Sequence, residues 1–97
     1  MDKLIYLNNL YDLYGELLTE KQKQYFEDYY FNNLSYGEIG EKYGISRNAS
    51  FKQLKNIEEK LIEYEEKLKL LYKKKKINDI IIKVEDSKLK EELENIF

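Results

Sequence analysis

The chain has 97 residues, a net charge of −2, four glycines, and no proline, cysteine or histidine. Without Cys there is no disulfide scaffold, thiolate metal site or cysteine nucleophile, and without His the commonest metal ligand and acid–base group is missing. No catalytic residue, metal site or cofactor is therefore expected, and an enzyme is the least favoured class. Scarce Pro and Gly beside abundant Leu, Lys and Glu favour a few long helices joined by short turns, an all-α protein. The start of the chain is interrupted by Asn8 and Asn9 too early for a signal h-region. No apolar run approaches the roughly 20 residues of a membrane helix. A cytoplasmic chain with no membrane insertion is expected.

Residues 4–14 carry two apolar stripes at three- and four-residue steps, Leu4-Leu7-Tyr11-Tyr14-Leu18 and Tyr6-Leu10-Leu13-Leu17. Together they make an apolar surface wider than one neighbouring helix covers. One stripe is expected in the core, the other in the core or against a second subunit. Gly15 is expected to loosen or end this helix. Thr19-Glu20-Lys21-Gln22 reads as a capping box opening a second helix, residues 20–31. Tyr25, Phe26, Tyr29 and Tyr30 lie on one side of it. Such a stripe can stack on bases, but at helical spacing core packing is the favoured reading.

After Asn32-Asn33, Ser35-Tyr36-Gly37-Glu38 is a second capping box, opening a short helix with Tyr36, Ile39, Gly40 and Tyr43 on one face. Gly44 suits a left-handed corner, and Ser46 suits the N-cap of the next helix. From Arg47 no breaker occurs before the lysine run, so a fourth helix over 47–76, about 45 Å long, is predicted. Leu54, Ile57, Leu61, Tyr64, Leu68 and Leu71 form a heptad seam along it. Glu58, Glu59, Glu63, Glu65 and Glu66 alternate with Lys60, Lys67 and Lys69 as on a solvated face. The distal half of so long a helix must pack on the carboxyl-terminal segment or on another copy, and a homodimer is expected. Residues 77–84, with β-branched Ile80-Ile81-Ile82, are read as helical. Asp86 or Ser87 would cap a last short helix in which Leu89, Leu93, Ile96 and Phe97 pack back. The chain divides into a helical domain, 1–72, with a helix-turn-helix at 35–56, and a basic stretch with a C-terminal helical extension, 73–97.

Charge is distributed unevenly. Residues 46–56 hold Arg47, Lys52 and Lys55 and no acid, and Lys73, Lys74, Lys75 and Lys76 form a second basic island on an acidic background. A block of like charge is usually a solvated stretch, and as a secondary basic patch it is a place for protein or RNA to bind. Within residues 34–47, Gly40 is the small residue wanted where two helices cross, and Gly44 gives the positive φ of the joint. Ile39, Tyr43 and Ile45 fill the wedge. The second helix of such a motif can enter a major groove. Arg47 and Asn48 then point outward where arginine bridges guanine acceptors and asparagine bridges adenine. Lys52 and Lys55 suit phosphates, and Phe51 suits a thymine methyl or a partner protein. An ordinary exposed arginine near a helix start remains the alternative for Arg47.

These residues resemble the YlxM-like family of small bacterial helix-turn-helix proteins and, more distantly, the fourth region of sigma factors. The resemblance rests on Leu10-Tyr11-Asp12-Leu13-Tyr14-Gly15, Leu17-Leu18-Thr19-Glu20-Lys21-Gln22, Tyr29-Tyr30, residues 34–40, Ser46-Arg47 and Tyr64-Glu65-Glu66-Lys67-Leu68. It implies a sigma region 4-like, all-α helix-turn-helix domain without a wing, with a long fourth helix and a short C-terminal one. It further implies a DNA-binding regulator encoded beside signal recognition particle genes, with components of that particle as partners. A non-catalytic accessory protein of that pathway, binding protein or RNA, is the alternative. Where the family usually continues Gln-Ala-Val-Tyr-Asp, this chain has Asn48-Ala49-Ser50-Phe51-Lys52. Ser50 for a buried valine should loosen the second helix at a cost of about 1 kcal/mol, and Lys52 for an acid makes the groove-facing surface more basic.

Overall fold

A computed structural model of the chain describes residues 2–84 and 87–96. Among the described residues six α-helices follow one another: α1 (Lys3–Tyr14), α2 (Glu20–Tyr30), α3 (Tyr36–Tyr43), α4 (Arg47–Leu68), α5 (Leu70–Lys83) and α6 (Ser87–Glu94), with a short 3-10 turn at Gly15–Leu17. No strand occurs among the described residues, and the fold is all-α. The molecule is elongated, 55 × 25 × 24 Å. No described helix is long and apolar enough to cross a membrane.

The boundaries follow local chemistry. Asp2 opens α1 by accepting the Leu4 amide at 2.8 Å. Thr19 and Gln22 form the reciprocal capping box of α2, and Ser35 and Glu38 that of α3. Each satisfies amides that a helix start leaves orphaned, a contribution of about 1 kcal/mol per cap. α1 ends at Tyr14 as Gly15 leads into the 3-10 turn.

α4 packs against α1, α2 and α3, while α5 returns to α1. The core joins Leu7, Leu10 and Tyr14 of α1, Leu18 just after the 3-10 turn, Tyr25 and Phe26 of α2, Ile39 of α3, Leu54, Ile57 and Leu61 of α4, and Leu71 of α5. Each fully buried side chain of this size stabilises the fold by about 1.5–3 kcal/mol. Neither apolar stripe of α1 enters as a unit. The buried line takes Leu7, Tyr14 and Leu18 from one and Leu10 from the other, leaving Leu4 and Leu17 exposed. The aromatic residues of α2 are packing residues. Tyr25 and Phe26 are buried, and Tyr11 stacks on Phe26 at 4.2 Å.

The helix predicted over 47–76 is broken. Lys69 takes a left-handed conformation (φ 55°, ψ 34°), which ends α4 and begins α5. The predicted seam is therefore folded: Leu54, Ile57 and Leu61 face this chain's own core, Leu68 is exposed, and Leu71 rejoins the core beyond the corner. The expected solvated acidic face is also partly wrong. Glu58 is buried, and Glu65 is half-buried at the α4–α5 corner, whereas Glu63 and Lys67 do pair in the open at 2.7 Å. Of residues 77–84, read as helical, 77–83 are helical and Val84 leaves the helix in an extended conformation (φ −85°, ψ 126°). Ser87 is the first residue of α6, while the suggested cap Asp86 and the terminal Phe97 lie outside the described residues. Leu89 and Ile96 are exposed, and Leu93 is half-buried.

Candidate nucleic-acid interface

α3 and α4 meet at a glycine corner. Gly44 adopts φ 70°, ψ 33°, and its amide donates to the Gly40 carbonyl. That carbonyl also accepts the Ile45 amide at 2.9 Å. A Cβ at Gly40 would lie 2.5 Å from the Ile45 carbonyl oxygen, well inside contact distance, so the crossing admits only glycine without backbone movement. Ile39 is fully buried in the wedge, with Tyr43 and Ile45 half-buried beside it. Ser46 caps α4 by accepting the Ala49 amide at 3.0 Å. Ser50 does not leave the helix loosely packed: it is fully buried, and its hydroxyl donates to the Ser46 carbonyl at 3.2 Å.

Two buried carboxylates hold this unit. Asp28 of α2 accepts the Tyr43 hydroxyl at 2.5 Å, Lys42 Nζ at 3.0 and 3.2 Å, and Asn32 Nδ2 at 3.3 Å. Burial alone would raise the Asp28 pKa, but the hydrogen bonds from Tyr43, Lys42 and Asn32 prevail and hold it below the ordinary carboxylate value. Glu58 of α4 accepts the Tyr30 hydroxyl and pairs with Lys55 at 3.4 Å and Lys3 at 3.8 Å. Sequence reading missed both anchors. The available signal was an acid inside an apolar face: Asp28 one turn after Tyr25, and Glu58 one turn after Leu54 and next to Ile57.

The residues singled out at the start of α4 do not share one environment. Arg47, Asn48 and Lys52 are exposed. The Arg47 guanidinium lies 5.8 Å from the centre of the Tyr36 ring. Phe51 is 38% exposed and set edge-on to Tyr36 at 5.3 Å, while Tyr36 in turn stacks on Tyr29 at 4.9 Å with rings 3° from parallel. The hydrogen bond with Tyr29, then burial, pushes the Tyr36 phenol up to about 12, so it is neutral at physiological pH. Lys55 is half-buried, 5.5 Å over the Phe51 ring, and the charge of Glu58 followed by its hydrogen bond raises the pKa of its ammonium group. Arg47, Phe51 and Lys55 thus form one edge of α4 at four-residue steps, braced by aromatic rings from α2 and α3.

Lys73, Lys74, Lys75 and Lys76 all fall within α5 and are exposed. Four consecutive residues span about 300° around a helix, so the run does not form one basic face. Lys74 and Lys75 lie toward α1, lining a small hollow with Asn9 and Asp12, and Lys76 sits 4.9 Å over the Tyr72 ring. Among the described residues, no cluster of Asp or Glu side chains is arranged to hold a metal ion.

Residues 1–96 match the family UPF0122, described as "Putative helix-turn-helix protein, YlxM / p13 like". The chain belongs to this family. Similar members include the UPF0122 protein BH2485 of Halalkalibacterium halodurans, 42% identical over 90% of this chain and 80% of that protein. The UPF0122 protein ABC2295 of Shouchella clausii is 47% identical over 75% of this chain and 67% of its own length. The UPF0122 protein FN1394 of Fusobacterium nucleatum is 38% identical over 99% of this chain and 93% of its own. The family description agrees with the glycine corner between α3 and α4.

Proposed function

We propose that this chain is a regulatory protein that binds duplex DNA, seating the first turns of α4 in the major groove. The observation that carries the reading is the exposure of Arg47 and Asn48 directly after the Ser46 cap, on the second helix of the helix-turn-helix. A recognition helix reads base edges from that position. Arg47 has the donor fork for guanine O6 and N7, and Asn48 the donor–acceptor pair for adenine. Phe51 offers an apolar edge to a thymine methyl, and Lys52 and Lys55 meet phosphates. Two copies on half-sites about one helical turn apart would suit the size of the unit. The seam of α4 is already spent on the chain's own core, so such a pair joins through other surfaces.

Fluorescence anisotropy on duplex DNA across a salt series tests the reading. Lys52 and Lys55 neutralising one phosphate each give a log–log slope of about −1.8 for one copy and roughly −3.6 for two. Arg47→Ala should cost about 1–3 kcal/mol on a preferred site and relax its sequence preference. An affinity that ignores salt, or is unchanged in Arg47→Ala, overturns DNA binding and favours a protein partner such as a signal recognition particle component.

A further inference from the structure

Beside the Arg47–Phe51–Lys55 edge lies a groove of about 710 Å³, walled by the start of α1, the end of α2, the start of α3 and the middle of α4. Lys3 and Lys55 enter it from helices far apart in sequence, and both approach the same oxygen, Glu58 Oε2, at 3.8 and 3.4 Å. That carboxylate also accepts the Tyr30 hydroxyl. One negative charge thus stands opposite two ammonium groups and cannot neutralise both. Asp2, also on the groove wall, keeps its charge but turns its carboxylate to the Leu4 amide of its own helix, so the positive excess is local to the two ammonium groups rather than a property of the whole groove. Lys3 keeps 64% of its side chain exposed, so it can swing to an incoming anion at little cost. Lys55 lies two turns along α4 from Arg47, about 12 Å. Lys55 is thus clear of the first turns that would read base edges and, as a lysine, suits a phosphate contact.

We infer that Lys3 and Lys55 together form a phosphate clamp, in which a backbone phosphate of duplex DNA flanking the bases read by α4 takes its place between the two ammonium groups. The inference rests on the DNA-binding reading and deepens it, because it extends the contact surface from α4 to the start of α1. The clamp carries no sequence information, since phosphates are alike at every step. It fixes the register of α4 by gripping the strand at a second point. Glu58 is the positioning residue: it holds the two lysines at one place in the free protein, and Tyr30 fixes it in turn.

The test compares wild type, Lys3→Ala, Lys3→Arg and Arg47→Ala in the same salt titration on one preferred duplex and one scrambled duplex. With Lys3→Ala the Lys55 charge is cancelled by Glu58 and the phosphate is no longer neutralised, so the slope should flatten by about 0.9 per copy and both duplexes weaken by the same factor. Lys3→Arg should restore the slope, which a loss of folding would not permit. Arg47→Ala should instead weaken the preferred duplex selectively. If Lys3→Ala leaves the slope unchanged while Arg47→Ala still lowers affinity, the clamp is refuted and the α4 reading stands. If wild type binds neither duplex with a salt dependence, both fall together.

Discussion

The Tyr14 hydroxyl joins two helices at once: it donates to Glu65 Oε1 of α4 at 2.6 Å and accepts the Leu70 amide of α5 at 3.0 Å. Glu65 in turn accepts the amides of Leu71 at 3.0 Å and Tyr72 at 3.2 Å. The orphan amides at the start of α5 are thus capped by side chains from outside that helix, one of them 56 residues away from its partner. Burial, then the hydrogen bond to Glu65, pushes the Tyr14 phenol up to about 12, so the link is neutral and intact across the physiological range.

Tyr14→Phe keeps the ring and removes this link. It leaves the Leu70 amide without its acceptor and Glu65 without one donor, a loss of about 1–3 kcal/mol. Urea denaturation should show a lowered midpoint, and amide exchange at Leu70 should accelerate more than exchange within α4.

Lys69 bears the cost of the corner. A non-glycine residue in the left-handed region is disfavoured by roughly 1–2 kcal/mol; glycine would relieve that strain, with part of the gain offset by its greater freedom when unfolded. Lys69→Gly is expected to stabilise the protein by up to about 1 kcal/mol. Lys69→Val, β-branched and poorly suited to positive φ, should destabilise it. Equilibrium urea curves of both variants check the opposite signs.

At the helix-turn-helix corner two glycines should respond differently. Gly40→Ala forces a Cβ to 2.5 Å from backbone oxygen and should cost about 1–3 kcal/mol, with loss of DNA affinity through a displaced α4. Gly37→Ala meets only the Ser35 Oγ at 3.8 Å and lies in the first turn of α3, so it should be neutral or stabilise by up to about 1 kcal/mol. Thermal unfolding of the pair separates the crossing requirement from general helix propensity.

Asp28 predicts an acid limb. Its pKa is lowered in the folded protein from a reference of 3.8, so the unfolded chain binds the proton more readily. The stability it contributes is complete above the reference value and is lost as pH falls below it through the folded value. Asp28→Asn should be less stable at neutral pH by about 1–3 kcal/mol and show a shallower loss on acidification. Denaturation midpoints at successive pH values measure both effects.

Much of the outline could be read in the sequence because its determinants are local. Thr19, Ser35 and Ser46 cap the helices that follow them through bonds spanning three residues, and Gly44 turns the chain by its own backbone freedom. The exposure of Arg47 and Asn48 follows from the same local register. The heptad seam over 54–71 likewise specifies an apolar face, which α4 buries as far as Leu61.

Tertiary structure decided the rest. The sequence around Lys69 has neither glycine nor proline and favours continued helix, yet the chain turns there because Tyr14 and Glu65 satisfy the freed amides and Leu71 gains a place in the core. Asp28 and Glu58 are charged residues that exposure would suit equally well, and they are buried only because partners from other helices meet them. Lys3 reaches Lys55 by the same route, through a shared carboxylate rather than any pattern along the chain. Caps and corners are encoded by neighbours in sequence, whereas a broken helix, a buried charge and a two-helix clamp each depend on a partner brought near only when the core closes.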